Sequence, residues 1–88
     1  MIITPRLMKI AEMIPNGSRI ADVGTDHGFL PIYLLKKNLI DFAVCSDIKK
    51  GPLSNAEKNI KKYTEETIEC RMAERKKLWV HYFYAQLL

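Results

Sequence analysis

Eighty-eight residues allow one small domain with a thin core. A hydrophobic share of 48% beside a charged share of 27% is ordinary for a globular chain and excludes a disordered or fibrous one. The formal charge of +4 and an isoelectric point near 9.2 suit an anionic partner such as RNA, without selecting it.

In chain order, Thr4-Pro5 opens a helix, with a capping hydroxyl followed by proline at the first helical position. Leu7, Ile10, Ala11 and Ile14 then fall on one face, and Pro15-Asn16-Gly17 ends the helix. Arg19 to Gly24 reads as a strand entering a glycine turn. A second helix is predicted from about His27 to Lys37, with Leu30, Tyr33 and Leu34 on or beside its buried face. Pro31 is tolerated in its first turn, and Asn38 is its stop.

Phe42 to Asp47 is apolar without clear alternation, the pattern of a strand buried on both faces. Gly51-Pro52 opens a third helix, whose inner stripe is Leu53, Ala56, Ile60 and Tyr63, with Lys58, Lys61 and Lys62 pointing elsewhere. Thr67 to Met72 alternates, with Ile68, Cys70 and Met72 on one side, and is predicted as a third strand. Helices alternating with strands in this order predict an α/β fold built on a parallel sheet with right-handed crossovers. Residues 79–84 hold four of the eight aromatics without turn chemistry or helical period, and they receive no assigned structure.

No apolar run is long enough to span a bilayer, and no basic segment precedes an apolar one at the start, so a cytoplasmic location without membrane contact is expected. Cys45 and Cys70 lack metal-ligand spacing. Both are expected to be buried small hydrophobes in a reducing compartment, and no metal is implied.

The stretch that carries chemistry is Ala21-Asp22-Val23-Gly24-Thr25-Asp26-His27-Gly28, a strand-to-helix turn. In a doubly wound sheet such a turn lies at the ligand crevice outside the carboxyl ends of the strands. Asp47 follows Gly24 by 23 residues, about the spacing at which a carboxylate reaches ribose hydroxyls. A dinucleotide fingerprint fails here, because Asp26 and Phe29 occupy its second and third glycine positions. A carboxylate at Asp26 would also repel a pyrophosphate. S-adenosylmethionine (SAM) has no phosphate and carries a cationic sulfonium and ammonium, so it suits a turn with Asp22, Asp26 and nearby Asp47 better. The plain alternative is that Asp22 only forms the turn and Asp26 only caps the helix.

These residues resemble the TrmK-type bacterial tRNA adenine-N1 methyltransferases. The matching stretches are Arg6-Leu7, Ile14-Pro15-Asn16-Gly17, Ala21 through His27 with Leu30-Pro31-Ile32-Tyr33, and Ser46-Asp47-Ile48 with Gly51-Pro52-Leu53. Ala56, Asn59 and Ile68-Glu69-Cys70-Arg71 also fit, so the likeness spans about residues 4–72, and the Asp26-His27 pair is its most specific part. The resemblance implies a partial Rossmann-like class I methyltransferase fold, truncated after the third strand, with SAM as cofactor and tRNA as partner. It implies that Asp22, Gly24, Thr25, Asp26 and His27 form the SAM turn, that Asp47 holds the ribose and that Ile48 packs on the adenine. Arg6 is implied as a contact for the SAM carboxylate or an RNA phosphate, beside a solvated surface role. His27 is divided between ligand contact and simple capping or packing. Lys36, Lys37, Lys49, Lys50, Lys61 and Lys62 are read as solvated faces with a share in tRNA backbone binding.

The family continues after the third strand through a glycine-and-acid turn, further strands and a helical C-terminal region. Here Ala73-Glu74 stand where that turn would be, and Arg75, Lys76 and Lys77 open a basic, then aromatic, segment. The expected division is therefore 1–72, the N-terminal half of a SAM-binding domain, and 73–88, an aberrant tail from truncation or a frame shift. The catalytic residue is not assigned. Methyl transfer to adenine N1 of tRNA is the implied activity, and the isolated chain is expected to be weak or inactive. The alternative is a non-catalytic nucleoside-binding or interaction module, its open sheet edge covered by a second copy or a partner subunit.

Overall fold

A threonine cap and two left-handed glycines set where the first two helices and the first strand of this chain begin. A computed structural model describes residues 3–25, 27–66, 68–72 and 83–85. Helix α1 (Pro5–Met13) starts as its sequence dictates: the Thr4 hydroxyl accepts the Leu7 N–H at 3.2 Å, and Pro5 stands at the first position. Gly17, at φ +81°, then turns the chain and donates its N–H to the Leu39 carbonyl at 2.8 Å, joining the entrances of the first two strands.

Strand β1 (Ser18–Val23) pairs in parallel with β2 (Ile40–Asp47), which starts two residues earlier than predicted. The register shifts between Ser18 and Arg19, so Asp41 is passed over and Arg19 comes opposite Phe42, its guanidinium 4.6 Å from the ring centre. Helix α2 (Phe29–Lys36) is apolar nearly all round and buries Leu30, Pro31, Ile32 and Leu34 against the sheet and its neighbouring helices. It starts two residues later than predicted. The reason is Gly28, left-handed at φ +73°, which takes the position before the helix and leaves His27 in the turn. Asn38 ends the segment as expected, at φ +56°.

Helix α3 (Lys50–Tyr63) buries Leu53, Ala56 and Ile60, with Tyr63 half-buried and Lys58, Lys61 and Lys62 exposed, as its stripe predicts. Strand β3 (Glu69–Met72) pairs in parallel with β2. Thr67, predicted as its first residue, lies outside the described residues. The predicted inner side fades along the strand: Ile68 is buried and Cys70 half-buried, but Met72 is 55% exposed. Its place on the edge of the described sheet, paired on one side only, explains that exposure.

The sheet does not end there. A short β4 (Phe83–Ala85), inside the stretch that received no structure from the sequence, pairs in parallel with β1. The order is β3-β2-β1-β4. Strand order thus reverses beside β1, which makes the end of β1 a topological switch point. The main core joins Ile20, Ala43 and Cys45 of the sheet to Leu30, Ile32 and Leu34 of α2, Ile60 of α3 and Ala11 of α1. Ala21 and Val44 form a smaller cluster on the sheet's second face.

Candidate functional site

The turn after β1 is tied down from below and from the side. The N–H groups of Gly24 and Thr25 both donate to the Ser46 carbonyl, at 2.9 and 3.1 Å. Val23 is level with Ser46 in the register, so Gly24 leaves the sheet beside Asp47. Asp22 is fully buried, and its Oδ2 accepts the Thr25 hydroxyl at 2.7 Å. A buried carboxylate needs such a donor. It holds Thr25 down and shapes the turn from beneath. The N–H groups of His27 and Gly28 both reach the Thr25 carbonyl, at 2.6 and 3.2 Å, which closes the loop tightly before α2.

Two glycines serve different ends. Gly24 is at φ +72°, and a Cβ built there would meet nothing within 4 Å, so open space lies above the turn. At Gly28 a Cβ would come within 3.2 Å of the Ala56 Cβ. There α3 approaches the turn so closely that even a methyl would force Ala56 to give way by a few tenths of an ångström. On the same helix Asn59 donates its side-chain amide to the His27 carbonyl at 2.9 Å. In the sequence reading Asn59 carries no role beyond its fit to the family pattern. The available signal was an amide one turn beyond Ala56, on the border of an apolar stripe.

Across the crevice, β2 ends in Asp47, whose Oδ1 accepts the Lys49 N–H at 2.9 Å. That local turn orients the carboxylate, and Oδ2 has no hydrogen-bond partner among the described residues. Ile48, next in the chain, is 64% exposed, an apolar side chain with surface to cover. Beneath them the Ser46 hydroxyl is fully buried without a partner among the described residues, a polar atom that a ligand or water can satisfy.

Of the residues predicted from sequence, Asp22, Gly24, Thr25, Asp47 and Ile48 therefore share one end of the sheet. His27 is exposed in the same turn and stacks on Phe29, ring centres 5.3 Å apart. Phe29 in turn meets Tyr63 edge-on at 6.3 Å. Asp26 lies outside the described residues. Arg6 is exposed in the first turn of α1. Among the described residues no group of three or more His, Cys, Asp or Glu could hold a metal ion, and no helix is long and apolar enough to cross a membrane.

The arrangement fits a nucleoside-type ligand. It offers a carboxylate with one oxygen unpaired among the described residues, at the same end of the sheet as the turn, an exposed apolar shelf beside it, and open space over a glycine.

Comparison with known proteins agrees. Residues 3–78 match a family model described as a methyltransferase domain. Over 60 residues the chain is 37% identical to the tRNA (adenine(22)-N(1))-methyltransferase of Bacillus subtilis (strain 168), covering 68% of this chain and 25% of that one. Among solved structures, the M. capricolum TrmK in complex with S-adenosyl-homocysteine superposes with a TM-score of 0.76 at 37% identity, over 84% of this chain and 33% of that one. A Streptococcus agalactiae protein of the NADB-Rossmann superfamily gives a TM-score of 0.82 at 34% identity, over 91% and 36%. The chain thus spans a quarter to about a third of these relatives.

Proposed function

Since the chain belongs to the methyltransferase-domain family, we propose that the turn after β1 binds SAM and serves methyl transfer to N1 of an adenine in tRNA. One observation carries this reading. The paired N–H bonds from Gly24 and Thr25 to Ser46 bring the acid-bearing turn and Asp47 to the same end of the sheet. The 37% identity to a tRNA (adenine(22)-N(1))-methyltransferase supports the substrate.

SAM supplies an electrophilic methyl group on a sulfonium. The protein's task is to hold it and exclude alternatives. Asp47 accepts hydrogen bonds from the ribose hydroxyls, and Ile48 covers one face of the adenine. Gly24 lets the ligand approach the backbone, and Asp22 keeps the turn in shape through Thr25. Asp26 and His27 are assigned to the methionine end, Asp26 on charge alone. Arg6 takes the methionine carboxylate or an RNA phosphate. The exposed Lys36, Lys37, Lys49, Lys50, Lys61 and Lys62 contribute to tRNA backbone attraction.

The chain spans only part of its relatives, so transfer by the 88 residues alone is expected to be weak or absent. In the alternative reading, a second copy or a partner subunit covers the open edge of the sheet. Calorimetric titration with SAM and NAD, followed by methyl transfer to tRNA transcripts with Asp26→Ala as control, tests the reading. Binding of SAM and not NAD is expected. Equal binding of both, or of neither, overturns it. SAM binding without transfer leaves a nucleoside-binding module.

A further inference from the structure

Cys45 and Cys70 are direct neighbours across the β2–β3 ladder. Parallel strands lie about 4.8 Å apart, and disulfide-bonded residues have Cα atoms about 4.4–6.8 Å apart. Residues in register on adjacent strands also send their side chains to the same face. Both cysteines are free thiols. We infer that Cys45 and Cys70 form a redox-active dithiol that closes to a disulfide when a peroxide oxidises Cys70.

The two sulfurs are placed unequally. Cys45 is fully buried in the main core. Cys70 is half-buried and lines a groove of about 320 Å³ between α3 and β3, with Glu57 and Met72, so a small oxidant reaches it first. The interaction of the two neighbouring thiols, reinforced by burial, pushes the Cys45 thiol well up. The same interaction lowers Cys70, against burial and the nearby Glu57 and Glu69 carboxylates, while the Cys70 Sγ lies 4.0 Å from the Ile68 carbonyl oxygen. Cys70 is therefore the better thiolate and Cys45 the waiting thiol.

The step balances. The Cys70 thiolate attacks one peroxide oxygen, the O–O bond breaks, and Cys70 becomes a sulfenic acid as hydroxide leaves. The Cys45 sulfur then attacks the Cys70 sulfur, the S–O bond breaks, and the Cys45 proton leaves with the oxygen as water. Each sulfur has lost one electron, and the peroxide has taken both. Closure requires Cβ atoms about 3.8 Å apart, so the strands must draw together slightly. Within the described sheet β3 pairs with β2 alone, so closure disturbs a single ladder. The inference stands apart from the ligand assigned to the turn.

Intact-mass spectrometry of the folded chain during stepwise hydrogen peroxide addition tests it. The monomer should lose two hydrogens and regain them with dithiothreitol, and peptide mapping should join Cys45 to Cys70. With Cys45→Ala, Cys70 should gain one oxygen and be captured by dimedone. With Cys70→Ala, Cys45 should stay reduced at the same peroxide dose. Oxygen uptake by the wild-type monomer without the cross-link overturns the inference, as does a cross-link formed only between copies or only in urea. The wild-type measurement decides even if a variant fails to fold.

Discussion

The side-chain amide of Asn59, on the third helix, donates to the main-chain carbonyl of His27 at 2.9 Å. Three residues earlier on the same helix, Ala56 packs so tightly on Gly28 that an added Cβ would come within 3.2 Å of its own. Positions three apart lie on one helical face, so α3 grips the turn at two successive residues. A turn gripped by a packed helix is preorganised, and a ligand binding there need not order it.

Replacing Asn59 by Leu removes the donor while keeping the volume. Unfolding free energy should fall by about 1 kcal/mol, the net worth of an ordinary hydrogen bond. The fall in SAM affinity should be larger than that loss implies, because the freed turn must be ordered on binding. Urea denaturation and calorimetry measure the two. An unchanged affinity would show that the grip has no bearing on the ligand.

Two terms oppose Gly28→Ala. A left-handed backbone costs an alanine about 1–2 kcal/mol, and the new methyl crowds Ala56. The variant should lose about 2–3 kcal/mol in total. Adding Ala56→Gly relieves the crowding and leaves the backbone strain, so the double variant should unfold between the single variant and the parent at matched helix propensity. If the double variant loses as much as Gly28→Ala and Ala56→Gly do separately, added together, crowding is not part of the cost.

Much of the fold was legible because local chemistry and burial pointed the same way. Thr4-Pro5 had one sensible reading, and so had the unbroken apolar run through β2. Boundaries slipped where a single glycine decided them: Gly28 moved the start of α2, since its left-handed backbone cannot be told from a helical one by composition. Of the candidate site, the shared placement of Asp22, Gly24, Thr25 and Asp47 at one end of the sheet was legible, because their spacing follows from one crossover. Asn59 could not be read, because its role depends on how α3 leans on the turn. β4 was missed because strand pairing with β1 is a distant relationship, and the aromatic segment around it has no period of its own.

The Thr25 hydroxyl donates to the buried Asp22 carboxylate at 2.7 Å. Thr25→Val keeps the shape and deletes the donor. It should cost about 1.5–3 kcal/mol, the range for hydrogen bonds to charged groups. Thr25→Ser keeps the hydroxyl and should cost about 1 kcal/mol through the lost methyl alone. Thermal denaturation of the pair at neutral pH separates the two effects. Equal losses would mean that packing, not the carboxylate, is what Thr25 serves.

Asp47→Asn isolates the charge at the end of β2. Asparagine keeps an Oδ1 acceptor for the Lys49 N–H, so the local turn and the stability of the sheet should change by less than about 0.5 kcal/mol. The second oxygen becomes an NH2 group, which can only donate, and so meets a ribose hydroxyl as a weaker partner. The loss of charge-assisted bonds predicts SAM binding weaker by about tenfold to a hundredfold. S-adenosylhomocysteine should weaken by a similar factor, because the ribose is common to both and the sulfonium is absent from the second. If the two ligands lose affinity unequally, with SAM hit much harder, then Asp47 answers to the positive charge rather than to the sugar, and the orientation proposed for the nucleoside is reversed. Calorimetry with both ligands on one variant decides this without any assay of methyl transfer.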